Sequence, residues 1–241
     1  ALYHKIDSIS YLASDYFIPN EYDKLMSFIG SEGTNAFTST DMTVYVEEIP
    51  SNQFENWARI QADRFMNPVL RGFHTELETV YEEKNMSLTK DFSKALETLD
   101  GMLFPDHPYG QQTVLGTQEH LKNPSIINIK NYYKKYYVPN NMAICLSGDF
   151  NPDEVVAIIE KYFGGMQPNE ELTDLTLKTE FKLEAPIEKD VYGLDAENIM
   201  MGWKYPGATS DDAIVAEVAS SVLYNGTAGL IDLNINQQQK V

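Results

Sequence analysis

The sequence has a single cysteine, four histidines and half as many basic as acidic residues. Cys145 cannot close an internal disulfide, and it lies in the apolar run Met142-Ala143-Ile144-Cys145-Leu146, so a buried, inert thiol is expected there rather than a nucleophile. Eighteen basic against thirty-six acidic residues give a formal charge of -18. That excludes nucleic acid and anionic membrane surfaces as expected partners, because both require a positive face. No apolar run approaches the ~20 residues of a membrane span, no signal peptide opens the sequence, and neither a short-period repeat nor a low-complexity segment occurs. The histidines, His4, His74, His107 and His120, include no two at the spacing of a helical ligand pair, so no three-ligand zinc centre can be assembled from these residues. His107 and His120 read as loop and surface residues.

What is present centres on residues 73–91. At 100° per residue, Phe73, Leu77, Val80, Tyr81 and Leu88 share one arc, the apolar stripe of a helix packed on a core. Glu78 and Glu82 fall opposite that stripe, whereas Glu76 and Glu83, seven apart, align on its border, where half-burial is expected. A half-buried carboxylate pair needs a positive partner, either a metal ion or a basic group. The alternative from this helix alone is a solvated edge paired with lysines.

Along the chain, 1–16 and 20–29 read as helices, the second with Asn20 as N-cap and Gly30 as its stop. Residues 34–49 are rich in threonine, β-branched and aromatic residues and read as one strand, or two around a bend at Ser39 to Asp41. Helices follow at 51–67, 73–91, 93–104, 125–136 and 152–163, with an irregular stretch around His107-Pro108-Tyr109. The run 141–148 reads as a strand buried on both faces, 189–194 and 199–205 as two further strands, and 211–224 as a helix with Ile214, Val215, Val218, Val222 and Leu223 on one face. The polar stretch 166–185 is the one convincing linker, which divides the chain into 1–165 and 186–241. Helices and strands in this order imply an α+β or α/β layer architecture. Helical spacing from Leu2 onward and an ending in mid-segment lead us to expect a part of something longer.

Taken together, Gly33-Thr34-Asn35-Ala36-Phe37-Thr38-Ser39, Thr43-Val44-Tyr45, Asp63-Arg64-Phe65 before Asn67-Pro68, and Glu76 and Glu83 around Val80 resemble the pitrilysin and insulin-degrading enzyme family of zinc metallopeptidases, the inverzincins of the M16 family. His107-Pro108-Tyr109, Tyr136-Tyr137-Val138-Pro139-Asn140-Asn141-Met142, Gly148-Asp149 and Tyr162-Phe163-Gly164 extend the likeness over roughly residues 20–230. The resemblance implies a pitrilysin-like domain of two similar halves, with a mixed sheet covered by helices and truncated at both ends. It implies Glu83 as the glutamate ligand of zinc, Glu76 as a supporting acid of the ligand shell, and Asn35, Ala36, Phe37 and Thr38 as a strand edge to which a peptide substrate adds. A second, related domain, on the same chain or another, is the implied partner.

The family's His-x-x-Glu-His is missing, so hydrolysis by this chain alone is not expected. One account places the motif upstream of Ala1; another sees it degenerated to His4-Lys5-Ile6-Asp7-Ser8 in a non-catalytic subunit. The retention of both Glu76 and Glu83 favours the first. The resulting expectation is a portion of a zinc endopeptidase, against a peptide-holding or assembly subunit without chemistry.

Overall fold

The computed structural model describes residues 2–16, 18–70, 72–173 and 185–240. Among these residues ten α-helices and one hairpin follow in order: α1 (Leu2–Ser14), α2 (Glu21–Phe28), β1 (Gly33–Thr38), β2 (Thr43–Glu48), α3 (Phe54–Met66), α4 (Phe73–Leu88), α5 (Asp91–Leu103), α6 (Pro108–Gln111), α7 (Gln118–Lys122), α8 (Ile126–Tyr136), α9 (Pro152–Phe163) and α10 (Asp211–Leu223). The fold is α+β. Among the described residues its sheet consists of β1 and β2 alone, paired antiparallel with Gly33 opposite Glu48 and Thr38 opposite Thr43.

Local chemistry sets most boundaries. Thr117, Ser125 and Asn151 accept hydrogen bonds from backbone N–H groups in the first turns of α7, α8 and α9, and Pro152 opens α9 where its missing N–H costs nothing. Asn20 does precede α2, but it sits in the left-handed region at φ 60° and its side chain caps nothing. The bend expected within 34–49 is a tight turn: Ser39 N–H donates to Met42 O at 2.8 Å, and Ser39 Oγ accepts from the N–H groups of Asp41 and Met42.

The core lies where α2, α3 and α9 meet. Met26, Ile29, Trp57 and Ala58 are buried there, with Tyr22, Ile49, Phe54, Leu146, Ile158 and Phe163 packed around them. Tyr162 and Lys161 on α9 both bond Glu55 on α3, at 3.0 and 2.6 Å. These are exposed groups that add little beyond alignment.

Three strand expectations fail. The segments 141–148, 189–194 and 199–205 carry no strand pairing. Apolar content marks a segment that can be covered from both faces, but a strand also needs neighbours to complete its ladder, and among the described residues none lies beside these three. For the same reason Cys145, expected to be buried, is exposed. The branched residues of α10 are exposed too, including Ile214, Val215 and Val218, while Ala213 and Ala216 on the same helix are partly covered. Most of the linker read at 166–185, namely 174–184, falls outside the described residues.

Residues 225–229 form a turn held by one buried carboxylate. Asp232 Oδ2 accepts from the N–H groups of Asn225 and Gly229, both at 3.1 Å, and Oδ1 accepts from the Asn236 amide. Burial pushes this carboxyl up, but the hydrogen bonds outweigh it and hold it below the usual carboxylate range. A depressed folded-state value contributes stability that is present above the unfolded pKa and lost as pH falls through the folded one. Asp232→Asn is therefore expected to lower the melting temperature at pH 7 and to narrow the difference between pH 7 and pH 3, as read by thermal unfolding at both.

Candidate functional site

In β1 the backbone geometry decides which groups are available. Because Ser39 and Met42 form a hydrogen-bonded pair, antiparallel alternation makes Phe37–Val44 and Asn35–Val46 hydrogen-bonded pairs as well. Thr34, Ala36 and Thr38 then direct their N–H and C=O groups away from β2, and on that side no strand pairs with β1 among the described residues. Asn35, Ala36, Phe37 and Thr38 are all exposed. The Ala36 N–H donates to the Asn35 side-chain oxygen at 2.8 Å, so the one outward donor at the middle of the strand is held by its neighbour's amide. An unpaired edge of this kind is a template for an added strand.

A polar and aromatic block fixes the hairpin from behind. Glu47 on β2 accepts from Tyr22 Oη at 2.8 Å and Gln61 Nε2 at 3.0 Å, and lies 3.7 Å from Arg64 Nη1. The Arg64 guanidinium lies over the rings of Tyr22 and Tyr45, 4.1 and 4.6 Å from their centroids. Tyr45 Oη in turn meets Tyr137 Oη at 3.0 Å. Burial, with the Glu47 carboxylate adding to it, pushes the Tyr22 hydroxyl up to about 12, so it remains a neutral donor. At the other end of the hairpin, Tyr109 Oη donates to Asp41 Oδ1 at 2.6 Å, and His107 caps α6 by accepting from Tyr109 N–H. Asp63-Arg64-Phe65 and His107-Pro108-Tyr109 thus serve to hold the hairpin at its base and its tip.

The acidic helix departs from expectation. Its apolar stripe is as read, with Phe73, Leu77, Val80, Tyr81 and Leu88 all partly covered, but Glu76 and Glu83 are exposed rather than half-withdrawn. The residue in the middle of the stripe is Lys84, four after Val80 and seven after Leu77, and only 4% exposed. Its ammonium donates to Glu97 on α5 at 2.8 Å and to Thr113 Oγ1 at 3.4 Å. Helix α4 thus carries Lys84 at the centre of its covered face, and the two glutamates stand beyond the stripe's edge in solvent. Neither carboxylate has a hydrogen-bond or ion-pair partner, and no such bond joins α4 to β1, among the described residues.

The structure thus brings Asn35, Ala36, Phe37 and Thr38 together on one edge and leaves Glu76 and Glu83 apart from them. Among the described residues no three histidine, cysteine, aspartate or glutamate side chains converge as a metal site, so these residues do not by themselves fit a zinc centre. Nor is any described helix long and apolar enough to cross a membrane.

The family model described as Peptidase M16 inactive domain matches residues 127–240. Over that stretch the chain is similar to the M16 peptidase family. It is 28% identical over 144 residues to the probable mitochondrial-processing peptidase subunit beta of Schizosaccharomyces pombe, covering 58% of this chain and 31% of that protein. It is 21% identical over 253 residues to the zinc protease PqqE of Helicobacter pylori, covering 99% of this chain and 54% of that one. In structure it is similar to a protease from Helicobacter pylori, with a TM-score of 0.58 at 24% identity over 64% of this chain and 37% of the other, which supports the pitrilysin-like fold. The chain therefore spans between about a third and about half of these M16 relatives.

Proposed function

We propose that this chain is part of a zinc-dependent endopeptidase and that its own contribution is to hold an extended peptide as an added strand on β1. The observation that carries this is the outward edge at Thr34, Ala36 and Thr38, which pairs with no strand among the described residues, is fixed from behind by the Arg64 block and is exposed from Asn35 to Thr38. Backbone pairing there gives affinity with little sequence preference, as a general peptidase requires. By the M16 resemblance Glu83 would be one ligand of a zinc ion and Glu76 would support it, with the remaining ligands supplied from beyond the described residues; such a metal would contribute activation of water as a nucleophile. The carboxylates of Glu76 and Glu83 are exposed and have no partner among the described residues, as those roles require. Alone, the chain is expected to bind peptide without cleaving it, and a second M16-like domain is its proposed partner in the active form.

Ala36→Pro tests the edge. Proline there removes an outward N–H and leaves the ladder to β2 intact, a position where edge strands tolerate it. Affinity for an unstructured, fluorescently labelled peptide is expected to fall by about three- to tenfold, the worth of one backbone hydrogen bond together with the disturbed edge. The same substitution should leave the melting temperature nearly unchanged. Equal affinity in both proteins would remove β1 from the binding site.

A further inference from the structure

A cavity of about 490 Å³ lies between the end of α3, the helix α8 and the residues that follow α9. Phe65, Leu70 and Met166 give it apolar walls, and Lys130 and Lys134, one turn apart on α8, complete the lining. No acidic residue lines it, in a chain that carries thirty-six. Both lysines are exposed, and neither takes part in an ion pair among the described residues.

The back wall is rigid and uncharged. Tyr133 Oη donates to the Phe65 carbonyl at 3.1 Å, and its ring stacks on Tyr137 at 4.1 Å. Burial pushes both hydroxyls up to about 12, so neither tyrosine places a negative charge beside an incoming anion.

We propose that this cavity binds the carboxy-terminal end of a peptide, its free carboxylate between Lys130 and Lys134 and its last, apolar side chain against Phe65, Leu70 and Met166. The volume is in the range of small-ligand sites. Two ammonium groups that are unpaired among the described residues, over an apolar floor, match a carboxylate attached to an apolar body, since lysine acts as a point charge indifferent to the carboxylate's orientation. In a chain of net charge -18, a lining with two lysines and no acid sets this cavity apart from the average surface. The assignment rests on the reading that the chain handles peptides.

The test compares a peptide ending in phenylalanine, labelled at its N-terminus, with its C-terminal amide, by fluorescence anisotropy at fixed ionic strength. The free acid is expected to bind the unaltered protein about tenfold more tightly than the amide. That advantage should vanish in Lys130→Gln/Lys134→Gln with the melting temperature unchanged, and persist in Lys24→Gln/Lys122→Gln, which removes the same charge elsewhere. Equal binding of acid and amide, or a preference that survives Lys130→Gln/Lys134→Gln, overturns the proposal. Ala36→Pro separates the two readings. Weaker binding of both peptides with the preference intact supports both, whereas unchanged binding of both with the preference intact overturns the strand edge and supports the cavity.

Discussion

Replacing Glu97 with alanine is expected to destabilise the protein by about 3–5 kcal/mol, the usual consequence of stranding a buried charge. Lys84 is 4% exposed, and once Glu97 is gone its ammonium keeps only Thr113 Oγ1, at 3.4 Å. The reverse substitution, Lys84→Met, should cost much less. The Glu97 side chain is 35% exposed and can turn to water, while a methionine fills the centre of the α4 stripe. Chemical denaturation of the two variants side by side checks the asymmetry. Equal losses would mean that the pair is not buried as described. Because Lys84 adjoins Glu83, Glu97→Ala is also expected to loosen the rotation of α4 that sets where the proposed ligand points.

Arg64→Met is expected to cost about 2–4 kcal/mol. The guanidinium lies over Tyr22 and Tyr45 and beside the Glu47 carboxylate, whose side chain is 9% exposed. Its loss removes three cation–ring contacts, to Tyr22, Tyr45 and Phe65, and leaves Glu47 with the Tyr22 hydroxyl and the Gln61 amide as its remaining donors among the described residues. Arg64→Lys should recover only part of this, because a compact ammonium cannot lie flat between two rings. For a chain of 241 residues the loss corresponds to a fall in melting temperature of roughly 4–16 °C. Since Glu47 stands opposite Thr34 in the hairpin, Arg64→Met should weaken peptide binding as well.

The residues of greatest consequence differ in how far sequence exposes them. The hairpin was legible because threonine, β-branched and aromatic residues flank a serine–aspartate bend. The helix α4 was legible through its apolar period, yet that same period hid Lys84, whose spacing from Leu77 and Val80 placed it in the stripe although a lysine is ordinarily assigned to solvent. Lys84 falls inside the arc drawn from the apolar residues, while Glu76 and Glu83, at the border of that arc, stand in solvent. Asp63-Arg64-Phe65 stood out as a motif, but its partners Tyr22, Glu47 and Tyr137 come from distant stretches that only the tertiary fold brings together. The segments 141–148, 189–194 and 199–205 show the converse limit, since strand formation depends on neighbours and not on a segment's own composition.

The alternation of donors along β1 can be measured directly. Amide hydrogen exchange, followed residue by residue with and without a saturating unstructured peptide, reports which N–H groups acquire a partner. Added-strand binding predicts slower exchange at Thr34 and Thr38, and at Ala36 once a peptide carbonyl replaces the Asn35 side-chain oxygen, and no change at Asn35 and Phe37, whose N–H groups already face β2. Binding that leaves the first three amides as they are, or protects some other segment instead, would contradict the assignment of β1 as the peptide-holding edge.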